Sequence, residues 1–204
     1  MTSVTPYQGT APKNPSQDSI SAEHQLKRAY NALIDAETLH LWNKPATSFG
    51  GITISEVVDI YKHAFREYRD DHWLSAERWA HTTQHLAKAL WHEAKIDYLE
   101  PRAPDLPFLK GATAEDYDLQ NIKSDTTADL LDSVAQHVPP GLTEMPKLMC
   151  RCLVRGWEHL GRLDDPEYRH ELLRAERIKA AHHYGRVLEC MALAYATDHG
   201  RKIG

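Results

Sequence analysis

The stretch that decides the fold is residues 70–99, which read DDHWLSAERWAHTTQHLAKALWHEAKIDYL. After the acidic pair, small and apolar residues recur every three or four positions, and this spacing predicts one long helix over 73–99. Its apolar face consists mainly of alanines and leucines: Ala76, Trp79 or Ala80, Thr83, Leu86, Ala87, Leu90 and Ala94. Because most of these side chains are small, we expect neighbouring helices to approach this one closely.

Helical spacing continues on both sides of this stretch, and we find no convincing strand-type alternation. Five further helices are predicted, over about 19–42, 53–69, 113–138, 143–163 and 166–198. Gly200 is expected to end the last helix as a C-cap. The predicted fold class is therefore all-α, a single antiparallel bundle of about six helices formed by residues 19–204, preceded by a disordered tail over 1–18.

Composition narrows the class of protein. The chain has 204 residues, of which 42% are apolar, so it is long enough to bury the core of one domain. Its net charge of −5 argues against coating nucleic acid by bulk charge, although a local basic patch remains compatible with it. The three cysteines exclude a disulfide framework. No apolar run reaches about 18 residues and the first residues lack an apolar leader, so we expect a cytoplasmic protein without membrane contact.

The polar face of the 73–99 helix is unusual. It carries seven charged or titratable side chains: Glu77, Arg78, His81, His85, Lys88, His92 and Lys95. The three histidines lie within about 40° of one another around the helix axis. Such a face is expected to meet either solvent or a second subunit.

The segment DDHWLSAERWA at 70–80, followed by AKAL at 87–90, resembles the HEPN superfamily (higher eukaryotes and prokaryotes nucleotide-binding). The similarity covers about 54–99, with Trp73 as the aromatic that opens the second helix and Ala76 as the small residue where two helices cross. The resemblance implies an antiparallel helical bundle that is often a homodimer. It also implies proteins found beside a partner nucleotidyltransferase, in toxin–antitoxin systems or in RNA cleavage.

The resemblance further implies one form of catalysis. Active nucleases of the superfamily carry an arginine followed, after four to six residues, by a histidine. Arg78 and His85 match this pattern on one helix face, with His81 beside them, so these three are the candidate catalytic residues. In metal-free RNA cleavage an imidazole moves the proton of the 2′-hydroxyl and a guanidinium holds the phosphate. The superfamily motif is expected on a later helix than this one.

Metal binding is the alternative chemistry for the same face. His81 and His85 are one turn apart, a spacing that suits Zn²⁺, and Glu77 one turn earlier would be a third ligand. His92 lies too far along a straight helix to join them. Since zinc-protease motifs are absent, the prediction is that the protein has no metal and no cofactor, with these three residues as secondary candidates.

The second candidate binding surface is basic. Arg151, Arg155 and Arg162 fall on one face of the predicted fifth helix, and together with Lys88 they are candidates for binding phosphate. The alternatives are a solvated face, or pairing with the acidic segment at 112–135.

Three functions are compatible with these patterns. The leading hypothesis is a HEPN-like helical module that binds a protein partner, a nucleotide or RNA, without catalysis of its own. The second is a metal-independent ribonuclease that uses Arg78 and His85. The third is a helical interaction scaffold of tetratricopeptide type.

Overall fold

The computed structural model describes residues 16–43, 51–105, 123–163 and 170–203. These ranges contain six α-helices, one 3₁₀ turn at Glu100–Asp105 and no strand, which confirms the all-α prediction. The helices are α1 Gln17–Asn43, α2 Ile54–Arg69, α3 Trp73–Leu99, α4 Ser124–Ala135, α5 Lys147–Gly161 and α6 Glu171–Ile203. None of the helices in the described ranges is long and apolar enough to cross a membrane.

The helices α2 and α3 form a hairpin whose two ends have clear local causes. Thr53 caps α2 with a capping box: the Glu56 amide donates to the Thr53 hydroxyl, and the Glu56 carboxylate accepts from the Thr53 amide at 2.9 Å. The helix ends at the acidic pair, where Asp71 adopts a left-handed backbone with φ of 61°. This turn reverses the chain and starts α3 at Trp73, as the sequence predicts.

The central helix is α3, which packs against α1, α2 and α6. All the residues predicted on its apolar face are buried. Alanines also recur on the buried faces of its neighbours: Ala22, Ala29, Ala32 and Ala36 on α1, and Ala175, Ala180, Ala181 and Ala194 on α6. Because alanines occupy both sides of these contacts, the helix axes approach closely.

Polar contacts set the directions of the helices. Ser21 donates to Glu77 at 2.8 Å and Gln25 donates to Gln84 at 2.7 Å, so α1 runs parallel to α3. Along α6 the partners of α3 come in reverse order, which makes α6 antiparallel to α3. The helix α3 therefore packs parallel to α1 and antiparallel to α6.

Two glycines support the packing of α4. A Cβ atom added to Gly185 of α6 would lie 2.7 Å from Leu130, and one added to Gly156 of α5 would lie 2.8 Å from Leu131. The absence of a side chain at both positions lets the two leucines sit directly on the backbones of α6 and α5.

Several predicted boundaries need correction. The fifth helix begins at Lys147 rather than 143, because Pro146 has an extended ψ of 141° and occupies the N-cap position. The fourth helix ends at Ala135 rather than 138. Gly200 does not end α6, which continues to Ile203, where the next turn is held by Arg201 pairing with Glu67 at 2.5 Å. The tail over 1–15, the predicted start of the fourth helix at 113–122 and that of the sixth at 166–169 lie outside the described residues.

Candidate functional site

The polar faces of α3 and α6 meet inside the chain. The Nδ1 atoms of His85 and His183 lie 3.1 Å apart, and about two turns further along α3 the Nδ1 of His92 lies 2.6 Å from a carboxylate oxygen of Glu176. Lys95 donates to the other oxygen of Glu176 at 2.9 Å. The helix α6 of the same chain therefore covers part of this face: His92 is buried, and the other six side chains of the face are half-buried. That the remainder meets solvent or a second subunit stays a prediction.

Four imidazoles form a continuous set, which we call the histidine row: His81, His85, His183 and His92. Ring centroids of His81 and His85 are 6.5 Å apart, those of His85 and His183 are 5.3 Å apart, and those of His183 and His92 are 5.4 Å apart. The outer pairs of the row are stacked, with interplanar angles of 15° and 18°. Contacts of this kind favour neutral rings, because neighbouring imidazolium ions would repel one another.

The surroundings of the histidine row favour the uncharged form. Burial, together with the nearby charges of Arg186 and Lys88, lowers the pKa of His85 to about 3. Burial and the neighbouring histidines also lower the pKa of His183. The pKa values of His81 and His92 are lowered as well, in both cases mainly by burial. At neutral pH the row is therefore a set of neutral imidazoles beside cationic side chains.

Next to the histidine row lies a groove of about 370 Å³, a size that suits a small ligand or part of a larger one. Its floor is α3 and its walls are α1 and α6. We call it the basic groove, and it is lined by Ala32, Asp35, Lys88, Trp91, His92, Lys95, Lys179 and His183.

The charge of the basic groove is mostly positive. Its lining contains three lysines, Lys88, Lys95 and Lys179, and one carboxylate, that of the exposed Asp35. Within the part of the chain that the structure describes, Lys95 pairs with Glu176, whereas Lys88 and Lys179 have no ion-pair partner. The groove thus combines two unpaired ammonium groups with an aromatic ring and neutral imidazoles.

Trp91 gives the basic groove an aromatic wall. Its ring is partly buried, and the ammonium of Lys95 lies 4.2 Å from the ring centroid. This cation–π contact fixes the lysine beside the ring. Aromatic rings next to lysines are a common arrangement for ligands that carry both a base and a phosphate.

The candidate catalytic residues are not brought together in one cluster. Arg78 donates to the backbone carbonyl of Leu193 at 2.9 Å and to the Thr197 hydroxyl, so it contacts the last turns of α6. His85 contacts His183, about 10 Å away along the axis of α3 at 1.5 Å per residue. His81 stacks near His85 and does not join Arg78 in any ion pair or hydrogen bond among the described residues.

The secondary metal candidates are also dispersed. Glu77 accepts from Ser21 of α1, while the rings of His81 and His85 stack instead of converging on one point. No group of three histidine, cysteine or carboxylate side chains in the described ranges is arranged to hold a metal ion.

The basic face of α5 pairs with carboxylates, but not with those expected. Arg151 binds Glu56 of α2 and the Gly51 carbonyl, and Arg155 binds Glu93 of α3 at 2.7 Å. Arg162 lies 4.0 Å from Glu100. Among the described residues these three arginines therefore pair with carboxylates of α2, α3 and the turn after α3, and not with those of α4. The rest of the acidic segment, at 112–122, lies outside the described residues.

Arg155 also belongs to a buried ion cluster. A single oxygen of Glu93 accepts from Arg155 at 2.7 Å and from the Nε2 of His159 at 2.8 Å. The cavity beside it, about 40 Å³, is lined by four carboxylates and three arginines: Glu93, Asp97, Glu100 and Glu158, with Arg155, Arg162 and Arg177. Burial and the charges of Glu93 and Glu100 raise the pKa of Asp97 to about 6. The excess of carboxylates makes this cavity unfavourable for phosphate.

Sequence reasoning found Lys88 as a candidate binding residue but missed Lys179 and His183. A signal for them does exist in the sequence. Polar residues recur along α6 at Glu176, Lys179, His183 and Arg186, with the spacing of one helix face. That stripe complements the one on α3, and matching the two would have placed both residues in the groove.

No family model, no curated protein and no solved structure matches this chain.

Proposed function

We propose that this protein is a HEPN-like helical module that binds a nucleotide or RNA in the basic groove, without catalysing a reaction of its own. The observation that carries the proposal is a pair of lysines, Lys88 and Lys179, which have no ion-pair partner among the described residues and line, together with Trp91, a groove of about 370 Å³. Lysines of this kind attract phosphate, and an adjacent aromatic ring offers a surface for a base.

Local charge supports a ligand that is an anion. The pKa of His85 is lowered in part by Lys88 and Arg186, and the pKa of His92 in part by Lys95 and Lys179, so these cations act on the same small volume. The chain as a whole carries a net charge of −5. A positive groove on an acidic protein directs an anionic ligand to one place, because the rest of the surface repels it.

The basic groove is a better candidate than the arginine face of α5. Arg151 and Arg155 already bind Glu56 and Glu93, and a phosphate would have to displace those carboxylates. Lys88 and Lys179 have no such competitor within the described ranges.

The test is binding of a fluorescein-labelled single-stranded RNA, followed by anisotropy at two salt concentrations. We expect the double variant Lys88→Gln/Lys179→Gln to weaken RNA binding. It should also reduce the magnitude of the slope of log K against log salt concentration by about 1.4, since each phosphate contact on a single strand contributes about 0.7. Trp91→Leu should weaken binding without changing the salt slope, because stacking involves no counterion.

The matched control is Lys62→Gln, which removes an exposed lysine of α2 outside the groove. If Lys62→Gln weakens RNA binding as much as the groove variants do, the attraction is due to general charge, and the assignment of the groove is refuted. Absence of measurable binding at low salt would refute the proposed function itself.

A further inference from the structure

The pair of histidines behind the lysines gives the basic groove a property that simple attraction does not provide. We propose that His85 and His183 take up a proton when a phosphate group binds between Lys88 and Lys179, so that binding and protonation are coupled. This inference rests on the proposed function, and it names the phosphate oxyanion as the chemistry recognised at that site.

The geometry of the pair is the starting point. Their Nδ1 atoms are 3.1 Å apart, a hydrogen-bond distance at which one ring donates and the other accepts. His183 also lines the groove that contains Lys88 and Lys179. The two neutral rings carry one N–H proton each, of which one lies between the Nδ1 atoms at the edge of the proposed phosphate site, and one additional proton would make one ring an imidazolium.

The charges around the pair disfavour that additional proton. Five cations surround the pair or its immediate neighbours: Arg28, Lys88, Lys95, Lys179 and Arg186. Three carboxylates face the same region, Asp35 on α1, Glu77 on α3 and Glu176 on α6. Of these, Glu176 is occupied by His92 and Lys95, and Glu77 acts on His81 at the far end of the row. The remaining titratable neighbours, His81, His92 and His182, are neutral imidazoles whose pKa values are lowered mainly by burial.

A bound phosphate reverses this balance. Its negative charge offsets the charges of Lys88 and Lys179, and its oxygens accept hydrogen bonds from an imidazolium. Both effects raise the proton affinity of His183, and the contact with His85 lets the two rings share the added charge. Because linkage is reciprocal, a ligand that raises proton affinity must bind more tightly as the pH falls.

The choice of probe removes the main confounding factor. A hexauridylate with hydroxyl groups at both ends has no group that titrates between pH 5.5 and 7.5, so any proton taken up enters the protein. Uridine monophosphate serves as the second probe, because it carries a terminal phosphate, whose second pKa is about 6. Comparison of the two shows whether an internal diester or a terminal phosphate is the source of the bound group.

The experiment is isothermal titration calorimetry of the intact protein at pH 6.0 in two buffers of different ionisation enthalpy, which counts protons taken up per bound ligand. We expect measurable proton uptake by the wild type, at most one proton per bound ligand, with affinity rising as the pH falls, up to about tenfold per pH unit for one proton. His183→Gln and His85→Gln should each abolish most of the uptake. The control His137→Gln, at an exposed position just after α4 and outside the groove, should leave it unchanged.

Each outcome decides a separate point. Salt-sensitive binding with no proton uptake would overturn this inference and leave the proposed function standing, and uptake that persists in both histidine variants would overturn the assignment to this pair. No binding of either probe would overturn both proposals. If the variants fail to fold by circular dichroism, the proton count of the wild type still decides, because an uptake of zero refutes the coupling.

Discussion

Acidification should destabilise this protein well above the pH at which carboxylates titrate. The change is a drop in pH from 7.5 to 5.5, and the cause is the histidine row. Burial and nearby cations lower the pKa of His85 to about 3 in the folded protein, whereas an unfolded histidine has a pKa of about 6.5. Between these two values the unfolded chain binds more protons than the folded one, so stability falls as the pH falls through 6.5.

The magnitude follows from the two pKa values. At pH 5.5 an unfolded histidine is about nine-tenths protonated while folded His85 remains neutral, which costs about 1.4 kcal/mol of unfolding free energy relative to pH 7.5. His183, whose pKa is lowered in the same direction, acts with the same sign, so the pair accounts for about 3 kcal/mol. Asp97 opposes part of this loss, because its raised pKa of about 6 makes the folded state bind a proton in the same window.

The assay is urea unfolding followed by circular dichroism at 222 nm, at pH 7.5 and at pH 5.5. His85→Gln should lose about 1.4 kcal/mol less than the wild type between the two pH values, and His137→Gln, which changes an exposed histidine, should lose as much as the wild type. A wild-type protein that is equally stable at both pH values, or a His85→Gln variant with an unchanged pH dependence, would refute the neutral histidine row.

The remaining predictions concern packing, capping and catalysis. Gly185→Ala should lower the unfolding free energy by about 1–3 kcal/mol, because the new Cβ would lie 2.7 Å from Leu130. Gly200→Ala, at a position with open space around it, should instead raise the unfolding free energy by about 0.5–1 kcal/mol in the same urea titration. If both variants shift stability equally, the close contact of α4 with α6 is wrong. Thr53→Ala should cost about 1 kcal/mol through loss of the capping box, and Thr53→Ser should restore most of it in thermal unfolding. Total RNA incubated with the protein in excess EDTA should remain intact, as it should with His85→Ala; cleavage by the wild type alone would establish the ribonuclease instead.

The helical architecture could be predicted because its causes are local. The acidic turn and the apolar spacing on both sides of it each act within a few residues, and the predicted bounds of α2 and α3 agree with the observed ones to within a residue. Gly200 shows the limit of such reasoning. Glycine lowers helix stability by only about 1 kcal/mol, and a contact with a distant residue, here that of Arg201 with Glu67, is enough to continue the helix.

The candidate site could be predicted only in part, because its residues come from three helices. The polar stripe on α3 could be read from its spacing, but spacing does not tell what a polar face will contact. His85 faces His183, and the arginines of α5 face Glu56 and Glu93, through contacts between residues far apart in the sequence. A carboxylate or an imidazole on one helix does not specify its partner on another.

The alanine-rich faces between the helices have a consequence for alignment along the bundle. Two smooth rows of methyl groups fit almost equally well after one helix slides by a turn, about 5.4 Å, so apolar packing alone defines the register of α1 and α6 on α3 weakly. The hydrogen bond of Gln25 on α1 with Gln84 on α3, and the contacts of Glu176 on α6 with His92 and Lys95 on α3, are satisfied in only one alignment. These buried polar groups therefore select one register of the helices among several that apolar packing would allow. The basic groove forms only in that register.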